Sequence, residues 1–185
     1  MTKNTTFSKD IYRGTLGEEI VESVLKNIFS YNYLKVTEDK KYQNEDVDFI
    51  LTKKDKEIKI EVKTDSYTTG NMAWEEFSCT ELKTPGCFQK TKADFICYYF
   101  IEWDLCYVFD TKVLREFVLS NKNSWHLRDF IVTDNGHSKY HSSGYIIPLS
   151  LLEEKLPENS YIKIPLKNIG GKEYNKIQKL MKAVY

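Results

Sequence analysis

Between Asp46 and Lys63 the chain reads DVDFILTKKDKEIKIEVK, and few backbones can accommodate that stretch. Phe49 and Leu51 alternate along one arm, and Ile58, Ile60 and Val62 along the other, which is the period of strands with one buried face. The polar run Lys53-Lys54-Asp55-Lys56 separates the arms and supplies a turn. A two-residue turn at Lys54-Asp55 sets Phe49 opposite Ile60 and Leu51 opposite Ile58 on the apolar side. The same register sets Asp48 opposite Glu61, and Asp46 opposite Lys63, on the other side. Directly opposed residues have Cβ atoms roughly 4.5–5.5 Å apart. Two carboxylates that close repel unless a cation lies between them, and a hard divalent ion with oxygen ligands meets that need. Lys63, two residues after Glu61, shares its face of the strand.

An acidic-x-Lys string by itself is common in a chain this charged. Glu57-Ile58-Lys59, Asp39-Lys40-Lys41 and Glu153-Glu154-Lys155 also match. The register separates them, because Glu57 falls opposite Thr52 and only Glu61 meets another acid on an apolar-flanked arm. The competing reading of the hairpin is a solvated face of mixed charge.

Upstream, residues 1–10 are polar and expected to be loose. A helix begins near Arg13, with Leu16, Ile20, Val21, Val24, Leu25 and Ile28 forming one apolar stripe. Glu19 falls opposite the stripe. Glu18 falls on its edge, where a carboxylate can be aimed into a cleft, and Glu22 is a weaker alternative. Acids are also simply favoured in a first helical turn. Tyr31 to Val36 reads as a strand, and Glu38 to Glu45 as a charged connection.

Downstream of Lys63, Gly70-Asn71 signals a turn before a strand from Met72 to Phe77. Parity puts Trp74 and Glu76 on one face and Glu75 and Phe77 on the other, without choosing between the acids. Glu81 to Asp94 reads as a loop through Pro85-Gly86 and a short helical turn. Its Lys83, Gln89, Lys90, Thr91 and Lys92 are residues of the kind that meet phosphates, or else an ordinary solvated loop. Phe95 to Ile101 is apolar on both faces, as a central strand is. Leu105 to Phe109 pairs next, and a helix follows with Val113, Leu114, Phe117 and Val118 inward.

Ser124 to Gly144 is expected to be a surface loop. It holds His126, His137 and His141, and the last two have the spacing of a zinc pair on a helix. Asn135-Gly136 and Ser142-Ser143-Gly144 argue against a helix there, and no third ligand is evident. Tyr145 to Ile147 reads as a short strand and Pro148 to Lys155 as a short helix. Tyr161 to Tyr185 carries six lysines against Glu173, and a basic helix is expected at about residues 172–184.

At 185 residues the chain is expected to form a single domain, 1–185. Lys and Arg number 27 against 27 Asp and Glu, which argues against indiscriminate coating of nucleic acid but not against a local basic surface. No apolar run approaches the roughly 20 residues of a membrane span. Cys79, Cys87, Cys97 and Cys106 lack CxxC spacing, so reduced thiols in a cytoplasmic protein are expected. There is no Walker loop, dinucleotide fingerprint or nucleophile elbow.

Asp48 followed by Glu61-Val62-Lys63 resembles the core motif of the PD-(D/E)xK nuclease superfamily, closest to its Holliday-junction resolvase and its phage or restriction endonuclease branches. Val47 stands where that motif usually has proline. Gly14-x-x-x-Glu18 is similar to the family's first helix. Thr69-Gly70-Asn71 and the Lys90-to-Asp94 stretch are similar to segments of some phage and restriction-type members. In such members the strand after the lysine stacks beside the hairpin, and its acids border the cleft.

The resemblance implies an α/β fold of restriction-endonuclease type, a mixed central β-sheet flanked by helices. It implies hydrolysis of DNA phosphodiesters with Mg²⁺ or Mn²⁺. Asp48, Glu61 and the Val62 carbonyl would hold the metal, Glu18 would serve a second metal or its water, and Lys63 would activate the attacking water. Lys83, Gln89, Lys90 and Lys92 are the expected nucleic-acid contacts. DNA is the expected partner, a homodimer is left open, and a prokaryotic or phage source is expected. The alternatives are a catalytically inactive member that binds nucleic acid or a protein partner, and an interaction protein without a nucleic-acid role.

Overall fold

The computed structural model describes residues 5–29, 33–53, 56–134 and 137–166. Strand β3 (Phe49–Lys53) and strand β4 (Lys56–Asp65) form the expected hairpin. Phe49 pairs with Ile60, Leu51 with Ile58, and Lys53 with Lys56, which leaves two residues for the turn. Those two, Lys54 and Asp55, lie outside the described residues.

The hairpin sits within a six-stranded mixed sheet. Its other strands are β2 (Tyr33–Lys35), β7 (Phe95–Phe100), β8 (Leu105–Asp110) and β11 (Tyr161–Pro165). The order is β11-β8-β7-β4-β3-β2, with β4 and β7 parallel and the other neighbours antiparallel. All six residues of β7 are buried, as a strand apolar on both faces requires. Helix α1 (Phe7–Phe29) lies on one face, where Val21 and Leu25 pack on Phe49, Ile58, Ile60, Phe95 and Val108. Phe49 and Ile60 are fully shielded; each such side chain stabilises the fold by roughly 1.5–3 kcal/mol relative to an exposed one.

The opposite face is covered by a second sheet. It comprises β1 (Thr5–Thr6), β9 (Leu127–Asp134), β10 (His137–Pro148), β5 (Asn71–Cys79) and β6 (Thr84–Pro85), in the order β1-β9-β10-β5-β6. Met72, Trp74, Tyr145 and Ile147 pack against Ile96, Tyr98, Phe100, Tyr107 and Phe109. Helix α4 (Thr111–Ser120) and helix α5 (Leu149–Lys155) add Leu114, Val118, Leu149 and Leu152 to this core. The α/β class with a mixed central sheet is therefore observed.

Several expectations are corrected. Helix α1 starts at Phe7, after a two-residue strand, so of the stretch 1–10 expected to be loose, residues 5–10 are ordered secondary structure, and residues 1–4 lie outside the described residues. Glu38 to Glu45 contains a helix, α2 (Lys40–Glu45), because the Asp39 side chain accepts from the Lys41 N–H and caps its start. Strand β5 belongs to the second sheet and not beside the hairpin. Ser124 to Gly144 is no surface loop: it supplies β9 and most of β10, which pairs with β5 as well as with β9. The region from residue 167 onward, including the basic helix expected at 172–184, lies outside the described residues.

Candidate active site

The regular ladder of the β3–β4 hairpin ends at Phe49 and Ile60. One step beyond, the Asp48 N–H donates to the Ile60 carbonyl, out of phase with that ladder. The Asp48 carboxylate takes the Val62 N–H instead, at 2.7 Å. The local break in pairing thus turns Asp48 toward β4, where it meets Glu61.

Glu61 is 4% exposed. Its Oε1 lies 2.8 Å from Lys63 Nζ, and its Oε2 is buried without a hydrogen-bond partner. A buried carboxylate oxygen without a partner costs free energy, and an ion or water bound beside it would recover that cost. Burial pushes the Glu61 carboxyl up to about 8; Lys63 opposes the rise and Asp48 adds to it. Burial also raises Asp48, against the pull of the Val62 N–H and Lys63, and a contact with Glu61 contributes to its titration. Lys63 keeps about a third of its side chain exposed, with a side-chain relative accessibility of 35%. Burial works against its charge, but Cys87, Glu61 and Asp48 outweigh it and hold Lys63 well above its ordinary value. Burial raises the Cys87 thiol so far that it is neutral at physiological pH.

The raised Glu61 value has a sign that can be tested. Between its ordinary value of 4.5 and about 8 the folded protein holds a proton that the unfolded chain has lost. Stability without metal therefore falls as pH rises through that window, by up to about 1.4 kcal/mol per pH unit. Melting curves in EDTA at pH 6, 7 and 8 should show the wild-type midpoint dropping faster than that of Glu61→Gln. Parallel curves would contradict a buried, proton-holding Glu61.

Glu18 arrives from α1. Gly17 is buried, and a Cβ built on it would stand 1.8 Å from Thr64 Oγ1, so the absence of a side chain lets α1 lie directly on β4. Gly14, the glycine of the expected Gly-x-x-x-Glu, has nothing within 4 Å of its own built Cβ. Glu18 Oε2 is 3.0 Å from Lys35 Nζ. Burial raises the Glu18 carboxyl, the Lys35 hydrogen bond opposes this, and Asp48 adds to it. Glu22 is turned away and binds Lys26 and the Tyr33 hydroxyl. Among the described residues, no three Asp, Glu, His or Cys side chains converge closely enough to hold a metal. Asp48 and Glu61, with one orphaned oxygen between them, still make a donor set suited to a hard divalent ion.

Helix α3 (Cys87–Lys90) flanks the site. Glu75 Oε2 accepts from the Cys87 N–H at 3.1 Å, so of the two acids on β5 it is Glu75 that reaches this helix. Glu76 is buried and paired with Lys122. The expected nucleic-acid contacts divide. Lys90 pairs with Asp46 at 3.0 Å. Lys92 is exposed, and its N–H bonds the Glu45 carbonyl. Gln89 bonds the Glu76 carbonyl. Lys83 stands in the β5–β6 turn at φ 53°. His141 Nδ1 lies 2.5 Å from Glu81, and no metal cluster forms there among the described residues.

No family model matches the chain, and no curated protein matches it. Among solved structures it is similar to a bacterial homing endonuclease, I-Ssp6803I, at 20% identity and a TM-score of 0.43, over 57% of this chain and 71% of that one. A likeness that distant has no bearing on activity.

Reasoning from the sequence missed two groups here. Asp46 does not face Lys63 in the ladder. It ends α2 in a left-handed conformation, φ 47°. An Asx residue just before an apolar strand was the available signal for that cap. Cys87 was placed only as one of four reduced thiols, and nothing local marks it as the neighbour of Lys63.

Proposed function

We propose that this protein is a metal-dependent endonuclease of the PD-(D/E)xK type that hydrolyses DNA phosphodiester bonds. The observation that carries the reading is the buried, unpartnered Glu61 Oε2 beside Asp48, with Lys63 on the same strand. Asp48 and Glu61 would hold Mg²⁺ or Mn²⁺, with the Val62 carbonyl as a further oxygen and Glu18 serving a second ion or its water. When bound, the ion supplies a water of lowered pKa and a polarised phosphate.

The chain's own groups then have distinct tasks. The Val62 N–H fixes one Asp48 oxygen, and the other would be offered to the ion. The proton that burial keeps on Glu61 would be displaced to solvent when the ion binds. Lys63, released from Glu61 Oε1, presents its ammonium to the attacking water and to the negative charge that develops on the phosphate. Exposed Lys92, with Lys90, Gln89 and Lys83, would steady the DNA backbone.

The test is incubation of the purified chain with supercoiled plasmid and with branched and linear duplexes. Cleavage is expected with Mg²⁺ or Mn²⁺, and EDTA should stop it. DNA binding that is indifferent to EDTA, with no cleavage of any substrate, would favour the inactive, binding-only alternative.

A further inference from the structure

The C-terminus of α2 is gripped by the segment that follows α3. Thr91 Oγ1, buried, donates to the Asp46 carbonyl at 2.6 Å, and the Lys92 N–H donates to the Glu45 carbonyl at 2.8 Å. Lys90 Nζ reaches the Asp46 carboxylate at 3.0 Å and the Gln43 carbonyl at 3.5 Å. One of these bonds holds the carbonyl of Asp46 itself, a left-handed residue, and another holds that of Glu45 just before it. The side chain is held differently. Among the described residues its ion pair is with a lysine whose side chain is 42% exposed, and such pairs contribute only about 0–1 kcal/mol.

Asp46 stands two residues before Asp48, and its charge bears on both Asp48 and Glu61. The unpartnered Glu61 Oε2 supplies the independent sign that this acidic corner is built for a ligand. Lys90 touches this corner through Asp46 and is open to solvent. A phosphate oxygen offers an ammonium a charge-assisted bond at least as strong as an exposed carboxylate does.

We propose that Asp46 is a third acidic group of the Asp48–Glu61 site, held away by Lys90 and released toward the metal when a substrate phosphate takes the lysine. The inference rests on the nuclease reading above. It makes substrate binding and metal affinity mutually reinforcing, since each favours the same arrangement of Asp46. The site would then be completed only with substrate present.

Mn²⁺ titrated calorimetrically into the full chain, without DNA, tests this. Lys90→Ala frees Asp46 and should tighten Mn²⁺ binding, by roughly fivefold or more. Lys90→Gln, which keeps a donor for the Gln43 carbonyl, should do the same. Adding Asp46→Asn, a residue tolerant of the left-handed region, should return the affinity to that of wild type. An unchanged affinity in both lysine variants overturns the proposal. So does a tightening that survives Asp46→Asn, because it would reflect only the loss of a nearby positive charge. Failure of the nuclease reading looks different: Asp48→Asn would then bind Mn²⁺ as well as wild type does.

Discussion

Replacing Asp48, Glu61 or Lys63 by alanine is expected to abolish metal-dependent DNA cleavage, each by at least about 10²–10³-fold, the usual effect of removing one preorganised charge-stabilising group. The three losses should differ in kind. Asp48→Ala and Glu61→Ala remove oxygens that would hold the ion, so calorimetry should show Mn²⁺ binding lost with activity. Lys63→Ala should leave Mn²⁺ bound while cleavage disappears, because its ammonium acts on water and phosphate. Its 2.8 Å bond to Glu61 would also vanish. That leaves a buried carboxyl with no cation, so metal-free Lys63→Ala should be less stable than wild type near pH 8. Full cleavage activity in all three variants would end the nuclease proposal.

Gly17→Ala is expected to damage the protein far more than an alanine in a helix normally does. Alanine ordinarily favours a helix by about 1 kcal/mol over glycine. Here its methyl would collide with Thr64 Oγ1 at 1.8 Å, and Thr64 Cβ and Cγ2 lie at 3.0 and 3.1 Å. Thr64 is short and anchored in β4, so the helix must lift instead. Overpacking of this kind costs roughly 1–3 kcal/mol, occasionally more. The lift would also carry Glu18 away from Asp48. Chemical denaturation should show the loss, and the double variant with Thr64→Ala should recover part of it, with a coupling of about 0.5–3 kcal/mol. Additive effects of the two substitutions would mean that α1 and β4 do not meet at Gly17.

Much of the site is legible in the hairpin because two independent signals agree there. Alternating Phe49, Leu51, Ile58 and Ile60 set which face is buried, and the shortness of the polar turn sets the register. The region of β9 and β10 shows the opposite case. Phe130-Ile131-Val132-Thr133 of β9 has strand propensity, but the Ser and His residues of β10 have little, and that long strand forms through pairing with β5 and β9. Helix α2 escapes notice because six residues hold no apolar period, and only its Asp39 cap marks it.

By itself, then, the sequence determined the hairpin and its register from Phe49 to Lys56, since both follow from local periodicity and a short turn, while the break in pairing that turns Asp48 toward Glu61 belongs to the tertiary structure. The tertiary structure alone decided that Gly17 rather than Gly14 seats α1. It also decided that Glu75 rather than Glu76 reaches α3, and that Lys90 among many lysines holds Asp46. Those contacts join segments far apart in the chain. No local pattern distinguishes one lysine, glycine or glutamate from its neighbours until the packed layers bring a particular one into reach.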